Sequence, residues 1–352
     1  MSNTLGDKIK VTIFGQSHSE AIGCVIDGFP AGFRPDMEKV RKFMSRRAPG
    51  KGEHTTARKE SDAPRVVSGL ADGATCGAPI CAMIENGDVR SGDYGEIARK
   101  PRPGHADYTA FVKYGGSNDV RGGGQFSGRL TAPLCFAGAL CMQYLETKGI
   151  RIAARASETA GISDAPLDIE KLFAVAEKPF PAIDGGAAEK MLAAIASAKE
   201  AGDSVGGVIE CVVIGLPAGI GEPMFGGVEN EIARAVFGVP AVKGIEFGAG
   251  FSAARMKGSE NNDPFEYKDG AVVCGTNNAG GILGGITNGM PVVFRCAIKP
   301  TPSVALPQKT VDVETGENAT LEIKGRHDPC IVPRAVPAIE AAAAIAILNL
   351  IP

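Results

Sequence analysis

Between Pro101 and Thr131 the chain sets four cations, Arg102, Lys113, Arg121 and Arg129, and one histidine, His105, among seven glycines with few aliphatic side chains. Such a stretch cannot be an ordinary core strand or helix throughout, and it reads as a binding loop. Three consecutive glycines, Gly122 to Gly124, let backbone N–H groups approach a ligand where a Cβ would collide, and they permit positive φ. Flanking guanidiniums supply planar forks that suit phosphate or carboxylate oxygens. The chemistry is anion binding. GGG alone would indicate a solvated turn; His105 and the cations beside it tip the reading toward a site.

Further candidates lie apart in sequence. His18 follows Gly15-Gln16-Ser17 at the corner between two strand patterns, where a histidine is expected to face a cleft. Arg46 and Arg47 close a helix pattern, and the polar stretch from Gly50 to Asp62, carrying His54 and Arg58, has the composition of a mobile flap. A second glycine cluster, Asn277 to Gly289, precedes a strand that runs into Lys299-Pro-Thr-Pro-Ser303, another small surface able to read anions or amides. Arg326, His327, Asp328 and Arg334 fall within nine residues, in a segment that Pro329, Pro333 and Pro337 should hold stiff ahead of a helix.

The elements that must position these groups can be read from periodicity. Strands are expected at Lys8 to Phe14, Ala21 to Asp27, Arg65 to Ser68, Ile80 to Ile84, Val205 to Leu216 and Pro291 to Ile298. Asp36 should cap a helix through Arg47 whose stripe is Met37, Val40, Phe43 and Met44. Leu130 to Lys148 is apolar on nearly every side and predicts a buried helix starting directly after the glycine run, which puts that run at a helix N-terminus, a favourable place for an anion. Further helices are expected at Ala187 to Ala201, Val228 to Phe237 and Ala338 to Leu350.

The 352 residues are read as a single domain with loop excursions, since no linker divides them. A formal charge of −3 lacks the broad basic footprint of a nucleic-acid binder. No signal-peptide core opens the chain, and the longest apolar run, about a dozen residues, is too short for a bilayer; the expectation is a cytoplasmic protein with no membrane partner. Nine cysteines without a C-x-x-C fit reduced, buried thiols. Neither H-x-H nor H-E-x-x-H occurs to support a metal hydrolase, so the metal expectation is none. Gly248 to Ala253 matches G-x-G-x-x-A, but the polar run and Pro264 that follow argue against a dinucleotide crossover.

Four blocks then carry a family resemblance. GQSHSEAIGCVIDGFPAG, RPGHADYTAFVKYGGSNDVRGGGQFSGRLTA, NNAGGILGGITNGMPVVF with IKPTPS, and GRHDPCIVPRAVPAIEA resemble, in order and from end to end, the signature blocks of chorismate synthase. The resemblance implies an α+β homotetramer, a β-α-β sandwich with central antiparallel sheets covered by outer helices. It implies a lyase that removes phosphate from C3 and a proton from C6 of 5-enolpyruvylshikimate 3-phosphate. That anti-1,4-elimination gives chorismate, in the shikimate pathway of aromatic amino acid biosynthesis. Reduced FMN is required although there is no net redox change.

By the same resemblance His105 stands at the flavin pyrimidine edge as an imidazolium, His18 beside the leaving phosphate, and Asp328 by flavin N5. Gln125, Phe126, Ser127, Pro240, Ala241, Gly284, Lys299, Pro300, Thr301, Pro302, Ser303 and Arg326 carry over as flavin contacts. Arg47, Arg121, Arg129 and Arg334 carry over as the guanidiniums for the substrate's two carboxylates and phosphate. Some members reduce their flavin with NADPH and others rely on an external flavin reductase, which is the expectation here. The chain departs from the family pattern at Gln16, where an acid is usual beside the histidine, at Gln125 and Phe126, where an arginine and a serine are usual, and at Glu53. A flavin or nicotinamide oxidoreductase, a metal hydrolase and an anion-binding protein without turnover are the rival classes.

Overall fold

The computed structural model describes residues 3–50, 62–87, 95–323 and 328–351. Two five-stranded antiparallel sheets frame the molecule. The first comprises β1 (Thr4–Leu5), β2 (Lys10–Gly15), β3 (Ala21–Asp27), β4 (Arg65–Ser68) and β5 (Ile80–Glu85), in the order β1-β2-β3-β5-β4. The second comprises β6 (Arg151–Thr159), β7 (Ile162–Ser163), β8 (Gly207–Ile214), β9 (Val242–Phe247) and β10 (Val292–Ile298), in the order β9-β10-β8-β6-β7. The helices of eight or more residues among the described residues are α1 (Met37–Arg47), α2 (Asp107–Tyr114), α3 (Thr131–Glu146), α4 (Gly185–Glu200), α5 (Val228–Val236) and α6 (Val332–Leu350).

The α+β class and the β-α-β sandwich with paired antiparallel sheets are those expected; the two largest apolar helices form its middle layer and not its outer cover. α3 packs on β3 and β5, α6 packs on β6 and β8, and the two helices meet each other between the sheets. Their sequences dictate this. A helix apolar all round has no face to give to water, and α6 is buried from Val332 to Leu348 on nearly every residue. Alanines and glycine set how closely the helices approach: a β-carbon added at Gly138 would stand 2.2 Å from that of Ala341. Each fully buried Ile or Leu on these faces contributes about 1.5–3 kcal/mol.

α6 also corrects two sequence expectations. It starts at Val332, not Ala338, so Pro333, Arg334 and Pro337 belong to the helix and not to a stiff loop ahead of it. Pro333 sits in the first turn, where an N–H has no helical partner anyway, and Pro337 forfeits a single bond to the carbonyl of residue 333. The helix is 19 residues, long and apolar enough to cross a bilayer, but it spends those residues inside the protein core.

Polar ties fix the register of the layers. The Asp36 carboxylate accepts the N–H groups of Glu38 at 2.9 Å and Lys39 at 3.1 Å, capping α1. Val40, Phe43 and Met44 of that helix are buried. Glu340, buried on α6, accepts two bonds from Arg46 at 2.6 and 3.1 Å and one from the backbone N–H of Ala154 at 2.8 Å, joining α1, α6 and β6.

Candidate active site

The three glycines after Arg121 all adopt positive φ, +58°, +84° and +54°, and form a tight turn that only glycine accepts without strain. The turn rests on the β2–β3 corner: the Ser17 N–H donates to the Gly124 carbonyl at 3.1 Å. A β-carbon at Gly122 would stand 2.5 Å from the His18 ring and from Ser17 Oγ, and one at Gly123 would stand 2.9 Å from His105 Cε1 and 3.0 Å from its Nε2. Residues far apart in sequence thus place one imidazole against each of two successive glycines. His18 is buried, at 7% exposure, and its Nδ1 lies 3.2 Å from Ser17 Oγ.

His105 is held from the other side. Its Nδ1 is 2.5 Å from Asp107 Oδ1, and Arg102 grips the same carboxylate through Nε at 2.7 Å and Nη2 at 2.8 Å. Burial pushes the Asp107 carboxyl up, but hydrogen bonds from Arg102 and His105 outweigh it and hold the group well below the usual carboxylate range. Arg102 Nη1 donates to Ser303 Oγ at 3.1 Å, and Lys299 Nζ donates to the Gly104 carbonyl. The 299–303 segment is therefore docked on the 102–107 segment. Burial, then the nearby Lys243, lowers the pKa of Lys299. The Lys299 N–H in turn donates to the Ala241 carbonyl at 3.0 Å. Ala241 has a φ of +77°, a strained conformation for a residue with a β-carbon.

Behind the glycine turn the arginines meet a carboxylate of the chain itself. Asp62 presents Oδ2 to Arg47 Nη1 at 2.5 Å and Oδ1 to Arg129 Nη1. Burial raises the Asp62 pKa, yet the charges and hydrogen bonds of Arg47 and Arg129 bring it below its ordinary value. Arg47 also donates to Thr131 Oγ1 at 3.0 Å and to the Gly128 carbonyl at 3.1 Å, while Arg129 donates to Asn86 Oδ1 at 2.9 Å. Arg334 joins the group by donating to the Arg47 carbonyl at 3.0 Å and to Asp328 Oδ2. Burial lowers the Arg334 pKa, the attraction of Asp328 opposes this, and repulsion from Arg47 adds to it.

His18, His105, Arg47, Arg129, Arg334, Asp328, Ala241, Lys299 and Ser303 are thus brought into one connected region. Arg121 turns outward to a bidentate pair with Asp119, at 2.9 Å for both bonds, which holds the Asp119 carboxyl below its usual range. Gln125 is exposed and donates to the Tyr114 hydroxyl at 3.0 Å; Phe126 is exposed beside it, and Ser127 Oγ caps the turn that starts α3 by accepting the Arg129 N–H at 3.3 Å. Gly284 sits in the turn of a short hairpin whose neighbour Gly285 packs against Gly227 and Glu222. The flap residues 51–61, Arg326 and His327 lie outside the described residues. Sequence reading missed Asp62, Asp107 and Asn86. Only Asp107 had a local signal, a His-x-Asp spacing.

G-x-G-x-x-A does not build a dinucleotide site. Among the described residues β9 is an edge strand paired antiparallel to β10 alone, and a short 3-10 turn, Gly250–Arg255, stands where a crossover helix would begin.

Known proteins resemble the chain along its whole length. The family model described as chorismate synthase matches residues 9–351. A chorismate synthase of Dehalococcoides mccartyi is 47% identical, with 99% of this chain and 96% of that protein covered. One from Archaeoglobus fulgidus is 49% identical with the same coverage, 99% and 96%. A crystal structure of chorismate synthase matches the fold with a TM-score of 0.76 at 26% identity, covering 98% of this chain and 92% of the other. Sequence and fold together define an enzyme, a carbon–oxygen lyase acting on phosphate. The chain belongs to the chorismate synthase family.

Proposed function

We propose that the enzyme converts 5-enolpyruvylshikimate 3-phosphate to chorismate by anti-1,4-elimination, with reduced FMN as cofactor. The observation that supports this most is the pair of imidazoles, His18 and His105, set on successive positions of a glycine turn with guanidiniums behind it. When bound, the reduced flavin supplies electron density that offsets positive charge developing on the ring as phosphate departs. The residues fit such a group. Gly122 and Gly123 let the two imidazoles close on the turn where a β-carbon would collide with them, and Thr301 Oγ1 is buried without a hydrogen-bond partner in the 299–303 segment. Lys299, Pro300, Thr301, Pro302 and Ser303, with Pro240 and Ala241 beside them and Gln125, Phe126 and Ser127 beyond the turn, would hold it, Gly284 and Arg326 completing the set.

His18 handles the proton and charge of the departing phosphate, and His105 holds a proton at the flavin side of the turn. Asp328, paired with Arg334, manages the C6 proton. Arg129, Arg47, Arg121 and Arg334 orient the three anionic groups of the substrate. We further propose a cytoplasmic single-domain protomer that assembles as a homotetramer and takes its reduced flavin from an external flavin reductase, with NADPH as the alternative reductant. Exposed Met224, Phe225, Phe251, Phe265 and Tyr267, all between α5 and β10 or just before α5, supply apolar surface for that assembly.

The test is an anaerobic assay with dithionite-reduced FMN and 5-enolpyruvylshikimate 3-phosphate, following chorismate absorbance and phosphate release together. Equal release of both, with His18→Ala losing about 100-fold or more of the rate, is the expected result. Binding of both ligands with neither product would overturn the reading.

A further inference from the structure

The contacts around His105 carry a step beyond the roles assigned so far, resting on the function just proposed. Asp107 is buried and its carboxylate is saturated. Oδ2 accepts the Arg102 backbone N–H at 3.0 Å and Arg102 Nε at 2.7 Å, while Oδ1 accepts Arg102 Nη2 at 2.8 Å and faces His105 Nδ1 at 2.5 Å. A carboxylate gripped by so many donors cannot turn away from the imidazole, and an ionised carboxylate only accepts. The ring nitrogen facing it must therefore carry the proton. Arg102 Nη2 also lies 3.1 Å from Nδ1 and 3.5 Å from Nε2, but a guanidinium donor cannot bond a nitrogen that is itself donating, so it stands beside the ring as a wall.

We infer that Asp107, locked by Arg102, is a positioning residue that keeps a proton on Nδ1 of His105 and directs Nε2 at the glycine turn. That is the nitrogen 3.0 Å from the β-carbon position of Gly123. The second ring nitrogen thus lies on the Gly123 edge of the ring, against backbone that only a residue without a β-carbon leaves this close, and its orientation is set before any ligand arrives. Arg102 ties the same unit to the opposite wall through Ser303. The charges facing His105 are Asp107 and Arg102 from its own segment and Lys299 from the docked 299–303 segment. Gly123 adds none, and His18 stands against the neighbouring glycine, with the Asp119–Arg121 pair leading into the turn.

Two readouts test this. The first needs no turnover: in protein labelled with 15N-histidine, the His105 ring signals are identified by their loss in His105→Ala among the four histidines. A proton on Nδ1 in the wild type that is lost or mixed in Asp107→Asn is expected. A ring protonated at Nε2 alone, or a spectrum unchanged in Asp107→Asn, would overturn the inference whatever the reaction proves to be.

The second readout is a double-mutant cycle in the anaerobic elimination assay. Asp107→Asn should lower kcat about 10- to 100-fold with KM changed less than about threefold, the same change should cost less than about twofold in the His105→Ala background, and Asp107→Glu should recover part of the loss. Equal losses in both backgrounds would mean that Asp107 supports packing alone and would overturn the inference. If Asp107→Asn does not fold because Arg102 is left as an unpaired buried cation, the neutral pair Arg102→Gln with Asp107→Asn runs the same cycle with the same expected and refuting results. An inactive wild type defeats the proposed function and leaves the spectroscopic result to decide this one.

Discussion

Asp62 offers the sharpest test of the way the arginines are held. Its side chain is 1% exposed, and each of its oxygens faces a different buried guanidinium, Arg47 at 5% and Arg129 at 3% side-chain exposure. Asp62→Asn keeps the shape and one acceptor but removes the charge, leaving both cations buried without an anion between them. Removing one partner of a buried ion pair costs about 3–5 kcal/mol. The two pairs share one carboxylate, and Thr131, Gly128 and Asn86 still accept from the arginines, so the losses should not add and the total stays near that range. With an unfolding entropy of about 2.1 cal/mol/K per residue over 352 residues, 3–5 kcal/mol corresponds to a fall of roughly 4–7 °C in Tm.

Scanning calorimetry at pH 7 and constant protein concentration measures this directly. The pH dependence supplies a control. The Asp62 pKa is depressed in the folded state, so its contribution is complete above the unfolded carboxylate value of about 3.9 and fades as pH falls toward the folded value. The gap between wild type and Asp62→Asn should hold constant from about pH 8 to pH 5 and narrow below about pH 4. A Tm difference under about 1 °C at pH 7, or a gap that widens on acidification, would refute the view that Asp62 is the ionised anchor of the two arginines.

Other consequences follow from the glycine turn and the thiols. Gly124→Ala should destabilise the fold by about 2–4 kcal/mol, because φ is +54° and the new β-carbon would stand 2.2 Å from the Asp119 carbonyl oxygen, whereas Gly128→Ala, which meets nothing within 4 Å, should change stability by less than about 0.5 kcal/mol; chemical unfolding of both separates them. Among the nine cysteines, burial pushes Cys135, Cys141 and Cys296 up to about 12 and Cys330 up to about 11, while Cys76 is exposed. Titration of the native protein with a thiol reagent at pH 8 should therefore find Cys76 reacting first and those four unreactive until denaturant is added.

Much of the fold was legible because its elements declare themselves locally. Ala21–Asp27 and Arg65–Ser68 fall on the strands read from β-branched runs, and Asp36 caps α1 where its side chain and the following stripe place it. What periodicity does not encode is which layer a helix enters. α3 and α6 are apolar all round, so burial was evident, but their place between the sheets depends on Gly138 meeting Ala341, a contact over two hundred positions apart in sequence. The start of α6 was misplaced for a related reason. Prolines read as loop residues until the register shows that Pro333 lies in the first turn, where proline costs the helix nothing.

The site divides along the same line. Residue types that carry chemistry, His18, His105, Lys299 and the arginines, stand out because histidines are few and cations gather among glycines. Their partners do not stand out, since an aspartate near the end of a polar stretch looks like any solvated charge. Asp62 acquires its meaning only when the chain brings Arg47 from α1 and Arg129 from the start of α3 to its two oxygens. The same holds for Arg102, one cation among four in its stretch until Asp107 and Ser303 occupy its fork. In both cases a buried carboxylate is the group that converts a loose collection of cations into fixed geometry. Without it the guanidiniums would repel one another and seek water. The cations read from the sequence and the internal carboxylates found in the fold are thus one requirement: guanidiniums gathered in one buried place must be held there by anions of the chain itself.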